Sequence, residues 1–185
     1  MNVNSISLGN VIKYKDQYWM VAKKEHVKPG KGGAFVQLEM KNINSGSKLN
    51  ERFRAGEDVE KVILDEKDYQ YQYDEGETIA LMDMDSYEQE SFPKSLLGDR
   101  VAYLSDGMNV KVCYCDGNAI DIKLPDTVVL SIKETEPTVK GQTAAASYKP
   151  AILENGIRIM VPPFVTSDDK VVVKTEDSTY VERAK

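Results

Sequence analysis

The chain has 185 residues, 41% of them hydrophobic and 29% charged, enough apolar material for one large domain or several small ones, which excludes a disordered chain. No run approaches the roughly 18 apolar residues that span a bilayer, and Met1-Asn2-Val3-Asn4-Ser5 lacks the basic and apolar regions of a secretory signal, so a soluble cytoplasmic protein without a membrane partner is expected. Net charge is −6, which argues against a general nucleic-acid binder, yet it is polarised: +4 over 1–61, −9 over 62–125 and −1 over 126–185.

Short strand-like runs recur and long helical periods do not. Val11 to Tyr14 and Tyr18 to Ala22 read as strands about an Asp16-Gln17 turn. After the Gly-rich segment Lys28-Pro29-Gly30-Lys31-Gly32-Gly33-Ala34, the stretch Ala34 to Met40 alternates, Asn44 to Ser47 turns, and Leu49 to Arg54 is another strand. A second set begins at Val62-Ile63-Leu64. It continues through Tyr69 to Tyr73, with three tyrosines on one face, and Thr78 to Met82; then comes one short helix at Pro93 to Leu97, ended by Gly98. Val110 to Tyr114 and Ala119 to Ile122 form a hairpin about Asp116-Gly117. The third set holds Val128 to Ile132, a Thr138 to Lys149 loop, Pro150 to Leu153, the Asn155-Gly156 turn, Ile157 to Val161, Val171 to Val173 and Ser178 to Val181. The simplest partition is all-β: three consecutive small barrels over 1–61, 62–125 and 126–185, without evident sequence repetition.

The segment around Lys31 is the most informative. Pro29 fixes its own φ and biases Lys28 towards extended geometry, while Gly30, Gly32 and Gly33 present no side chains. Lys31 is thereby expected alone at a hairpin tip, on a flexible four-carbon stem. The segment lacks the G-x-x-x-x-G-K-[ST] spacing of a P-loop, and strand-like residues follow it where a dinucleotide fingerprint needs a helix. A plain solvated turn remains open at this level. Cys113 and Cys115 share one strand face, a poor disulfide geometry, and His26 is the sole histidine, so free thiols and no metal site are expected.

The tip, Ser45-Gly46-Ser47-Lys48, Arg52-Phe53-Arg54, Glu136 to Gly141, Lys149-Pro150-Ala151 and Val161 to Phe164 together resemble the bacterial elongation factor P family, in order and over essentially the whole chain. The resemblance implies a KOW-type barrel followed by two OB-folds in an L-shaped, tRNA-like arrangement. It implies a monomer bound to the ribosome, through rRNA and ribosomal proteins, between the peptidyl and exit tRNA sites, promoting peptide bonds at consecutive prolines. Lys31 aligns with a lysine that members commonly carry β-lysylated by an enzyme related to lysyl-tRNA synthetase; the loop Lys28, Pro29, Gly30, Lys31, Gly32, Gly33 would face peptidyl-tRNA. In a codon-side loop the family often has Gly-Asp-Thr, where this chain has Gly141-Gln142-Thr143. Gln keeps hydrogen-bonding capacity but loses the negative charge.

Of the basic residues near the tip, Lys13, Lys15, Lys23, Lys24, Lys28, Lys41, Arg52 and Arg54, the matching segments favour Lys28, Arg52 and Arg54 as phosphate contacts. Two rivals stand beside this reading. One is a generic OB-fold protein binding single-stranded nucleic acid. The other is an enzyme using Lys31 as a nucleophile or base, which needs burial that a Gly-flanked tip does not offer. No catalytic residue and no cofactor is expected.

Overall fold

The computed structural model describes residues 1–137 and 147–185, and their strands build three five-stranded sheets. The first comprises β1 (Val11–Tyr14), β2 (Gln17–Val27), β3 (Phe35–Asn42), β4 (Lys48–Arg54) and β5 (Glu60–Val62), in the order β4-β3-β2-β1-β5. Alternation along β3 buries Val36, Leu38 and Met40 against Ile12, Trp19, Val21 and Phe53. Val3 and Ile6, from a short 3-10 turn at Val3–Ser5, close this core.

Three details differ from the sequence reading. The first turn is Lys15-Asp16, one residue earlier than expected: Tyr14 pairs with Gln17, and Lys15 and Asp16 take left-handed φ of 50° and 57°. Those two positive φ values make it the mirror-image turn whose twist matches a tight hairpin. Next, β2 runs on through Lys23 to Val27, paired with Phe35–Glu39. Its polar run hid it, because ladder hydrogen bonds rather than burial hold that half of the strand. Finally, Val62 pairs with Val11 and completes the first sheet rather than opening the second.

The second sheet has β6 (Asp65–Asp74), β7 (Thr78–Asp83), β8 (Gln89–Pro93), β9 (Asn109–Cys115) and β10 (Asn118–Lys123), in the order β10-β9-β6-β7-β8. The helix read at Pro93 to Leu97 is a 3-10 turn at Lys94–Leu96, and Gly98 begins a second one, Gly98–Tyr103, instead of ending helical structure. Tyr69 and Tyr71 are buried, but a bulge between Tyr71 and Tyr73 turns Tyr73 outward, 50% exposed, so the three tyrosines do not share a face.

The third sheet has β11 (Thr127–Thr135), β12 (Lys149–Leu153), β13 (Arg158–Val161), β14 (Lys170–Lys174) and β15 (Tyr180–Arg183), in the order β13-β12-β11-β14-β15. Second and third sheets share one topology. In each, the first strand is central, with the next two on one side and the last two on the other. In the third, β13 also approaches β15, as barrel closure requires.

Contacts group Met1–Asp65 with Tyr114–Ile120 in one compact unit, and Glu66–Cys113 with Asp121–Lys185 in another. Within the first, the Tyr18 hydroxyl is hydrogen-bonded to Asp116, which raises the phenol above its ordinary pKa. Within the second, Tyr103 is buried in the third sheet's core and its hydroxyl lies 2.7 Å from Ser178 Oγ, tying the turn after β8 to the segment before β15.

Candidate functional site

The loop of residues 28–34 joins β2 to β3, and the last paired residues before it are Val27 and Phe35. Every residue from Lys28 to Ala34 is exposed. A ladder of β2 with β3 runs up to the loop from the core, so a rigid hairpin presents a seven-residue tip of which three residues are glycine. Only Gly32 adopts a left-handed φ, +110°; Gly30 and Gly33 do not, and a Cβ at either would meet nothing within 4 Å. Glycine at those two positions keeps the flanks of Lys31 bare rather than relieving strain. Among the described residues, Lys31 makes no hydrogen bond or ion pair with the protein, which leaves its ammonium free for a partner.

The sheet face beneath the tip is set by register. Val27, Phe35 and Arg54 lie in one row, and Glu25, Gln37 and Arg52 two rows on, on the same face. Arg52 reaches diagonally so that its guanidinium carbon sits 4.1 Å from the Phe35 ring centroid. A stacked guanidinium keeps its N–H edges outward, so Arg52 is positioned and still able to bind phosphate. Phe35 escaped the sequence reading as a site residue. The signal available was an aromatic residue two positions ahead of Gln37, the residue that pairs with Arg52.

The other basic candidates separate by what they already hold. Lys24 Nζ donates to the carbonyls of Asn4 and Ile6 at 2.6 and 2.7 Å and is a clamp on the N-terminal turn. Lys15 pairs with Glu51 at 3.3 Å and lies over the Tyr14 ring. Lys23 pairs with Glu25 at 2.6 Å, and that hydrogen bond raises its pKa. Lys28, Arg54, Lys13 and Lys41 have no side-chain ion pair or hydrogen bond among the described residues. Lys28 and Arg54 thus join Lys31 and Arg52 as a cluster around the tip. Gly141, Gln142 and Thr143 lie outside the described residues.

Such an arrangement offers charge, reach and hydrogen-bond donors at the end of a stiff hairpin. Lys31 is exposed, whereas a nucleophilic or basic lysine is activated by enclosure in a desolvated pocket. Cys113 and Cys115 are free and buried, and among the described residues no group of three His, Cys, Asp or Glu is placed to hold a metal. No helix among them is long and apolar enough to cross a membrane.

Three family models match in series: the elongation factor P KOW-like domain over residues 2–59, the elongation factor P OB domain over 64–122, and elongation factor P, C-terminal, over 128–183. Elongation factor P of Parvibaculum lavamentivorans is 55% identical over 184 residues, 100% of this chain and 98% of that protein. The chain belongs to the elongation factor P family. Elongation factor P of Brucella ovis is 53% identical, with 100% of this chain and 99% of that protein covered. A solved structure of eukaryotic translation initiation factor 5A from Methanococcus jannaschii is similar to 68% of this chain, covering 90% of its own, at 23% identity and a TM-score of 0.46. As a member of the elongation factor P family the chain is a translation elongation factor, and the partner class this implies is the ribosome with its tRNA.

Proposed function

We propose that this factor binds the ribosome between the peptidyl and exit tRNA sites and uses the Lys28 to Gly33 loop, with Lys31 at its tip, to steady peptidyl-tRNA while consecutive prolines are joined. Proline reacts slowly because its ring fixes φ and restricts the residue before it. Holding the donor end in a productive geometry removes an entropic part of the ribosome's own barrier. The protein supplies no acid, base or nucleophile in this reading. The observation that carries it is Lys31 standing exposed and unpaired on a loop stripped of flanking side chains. Arg52, Arg54 and Lys28 serve as phosphate contacts at the base of the tip, and Gly141, Gln142 and Thr143 form the codon-side loop.

The same reading divides the chain into working domains at 1–61, 62–125 and 126–185, and makes the factor a cytoplasmic monomer. Lys31 is β-lysylated by an enzyme related to lysyl-tRNA synthetase, which lengthens the arm and adds donors. Intact-mass analysis of the protein from its native host, localised to the Lys31 peptide, tests the modification. The function is tested by Lys31→Ala in reconstituted translation of a triple-proline message. Full-length product is expected to fall to the level without factor, while melting temperature stays unchanged. Undiminished synthesis with a folded variant overturns the proposal.

A further inference from the structure

A cleft of about 760 Å³ lies within the second unit, between the 102–109 segment, residues 125–130 and the Glu154-Asn155 turn. One wall is an open strand edge. β11 pairs with β14 from Thr127 to Ser131, but its ladder with β12 begins only at Ile132. Ile132 exchanges hydrogen bonds with the segment before β14, through Asp168 N–H and Asp169 carbonyl. Ser131 faces the other way, its carbonyl accepting from Glu154 N–H and its N–H donating to Glu154 Oε1. Backbone directions alternate along a strand, so Thr127 and Val129 face as Ser131 does, beyond the point where the β12 hairpin has turned away. No described residue pairs with their N–H and C=O groups on that side. The far end of the cleft is closed by Asn155 Nδ2 donating to the Ala102 carbonyl at 3.0 Å.

We propose that this edge takes an extended cationic peptide segment of a partner protein as an added strand. The outward N–H and C=O groups of Thr127 and Val129 give the main-chain recognition of strand addition. The lining supplies apolar contact from Leu104, Met108 and Val129, the last 56% exposed. Its charged members are Asp106 and Glu154, with no lysine or arginine among them. Charge complementarity therefore selects a basic peptide and disfavours a phosphate backbone. This surface is separate from the Lys31 loop in chemistry, and its test does not depend on proline synthesis.

The experiment titrates the full-length, ¹⁵N-labelled protein with an acetylated, amidated heptapeptide of alternating lysine and valine. The glutamate–valine counterpart and oligouridine are run beside it. Saturable shifts centred on the Thr127 and Val129 amides, with the lysine peptide alone, are expected. Val129→Pro removes the N–H that points into the cleft, with the Val129 side chain, and deletes no donor to β14, so it should fold and abolish the shifts. Asp106→Asn with Glu154→Gln, which keeps the Ser131 acceptor, should weaken binding about fivefold. Equal response to the acidic peptide, shifts with oligouridine at the same amides, concentration-dependent shifts without peptide that mark a second copy, or no response each overturn the proposal.

Discussion

The Arg52 guanidinium lies against the Phe35 ring at 4.1 Å, and Phe35 is the first residue of the strand that leaves the Lys31 loop. That stack fixes where the loop's exit begins, because Phe35 is also paired with Val27 on one side and Arg54 on the other. Arg52→Ala is expected to cost about 0.5–1 kcal/mol, the worth of an exposed cation–π contact. In a chain of this size that corresponds to a melting temperature lower by roughly 1–4 °C. Amide exchange should accelerate at Ala34 and Phe35 in particular. An unchanged exchange rate there would show that the ladder alone sets the loop's footing.

Lys28 and Arg54 stand unpaired beside the tip, and each neutralised phosphate releases condensed counterions. Lys28→Gln and Arg54→Gln are each expected to weaken ribosome binding and to reduce the slope of log affinity against log salt by about 1. Lys24→Gln makes the opposite kind of change: its ammonium holds the Asn4 and Ile6 carbonyls, so stability should drop with the salt slope preserved. Binding measured across a salt series separates the two outcomes.

Asp16 occupies a left-handed conformation, φ 57°, in the two-residue turn between β1 and β2. A side chain there costs about 1–2 kcal/mol relative to glycine, part of which the unfolded chain's greater freedom returns. Asp16→Gly is expected to stabilise the protein by roughly 0.5–1 kcal/mol in urea unfolding.

Burial pushes the Cys113 thiol up to about 11. An unfolded chain releases that proton near the ordinary value of about 8.5, so above it the unfolded state binds fewer protons than the folded one. The contribution is fully present below that pH and is lost as pH rises towards the folded value, at up to about 1.4 kcal/mol per pH unit. Cys113→Val, similar in volume, should flatten the stability decline between pH 9 and 11 relative to the parent. Parallel curves for the two proteins would refute this.

The strands were legible wherever apolar residues alternate, as in Phe35 to Met40 or Val110 to Tyr114, since period-2 burial leaves a mark in composition. They were illegible where pairing without burial holds the backbone: Lys23 to Val27 of β2, and Gln89–Pro93, a polar strand at the edge of its sheet. The bulge that turns Tyr73 outward leaves no trace in a run of alternating Tyr and Gln. At the candidate site, the exposed tip could be read from glycine and proline chemistry. Which lysines were already committed could not, because Lys24's partners are backbone carbonyls some twenty residues away, brought near only by folding.

The emptiness around Gly30 and Gly33 has a practical consequence. Alanine at either site strains nothing and displaces nothing, so a mutational scan there is decoupled from folding. Any defect it reveals would measure the clearance of whatever passage the arm has to enter, turning two featureless residues into a gauge of that passage's width.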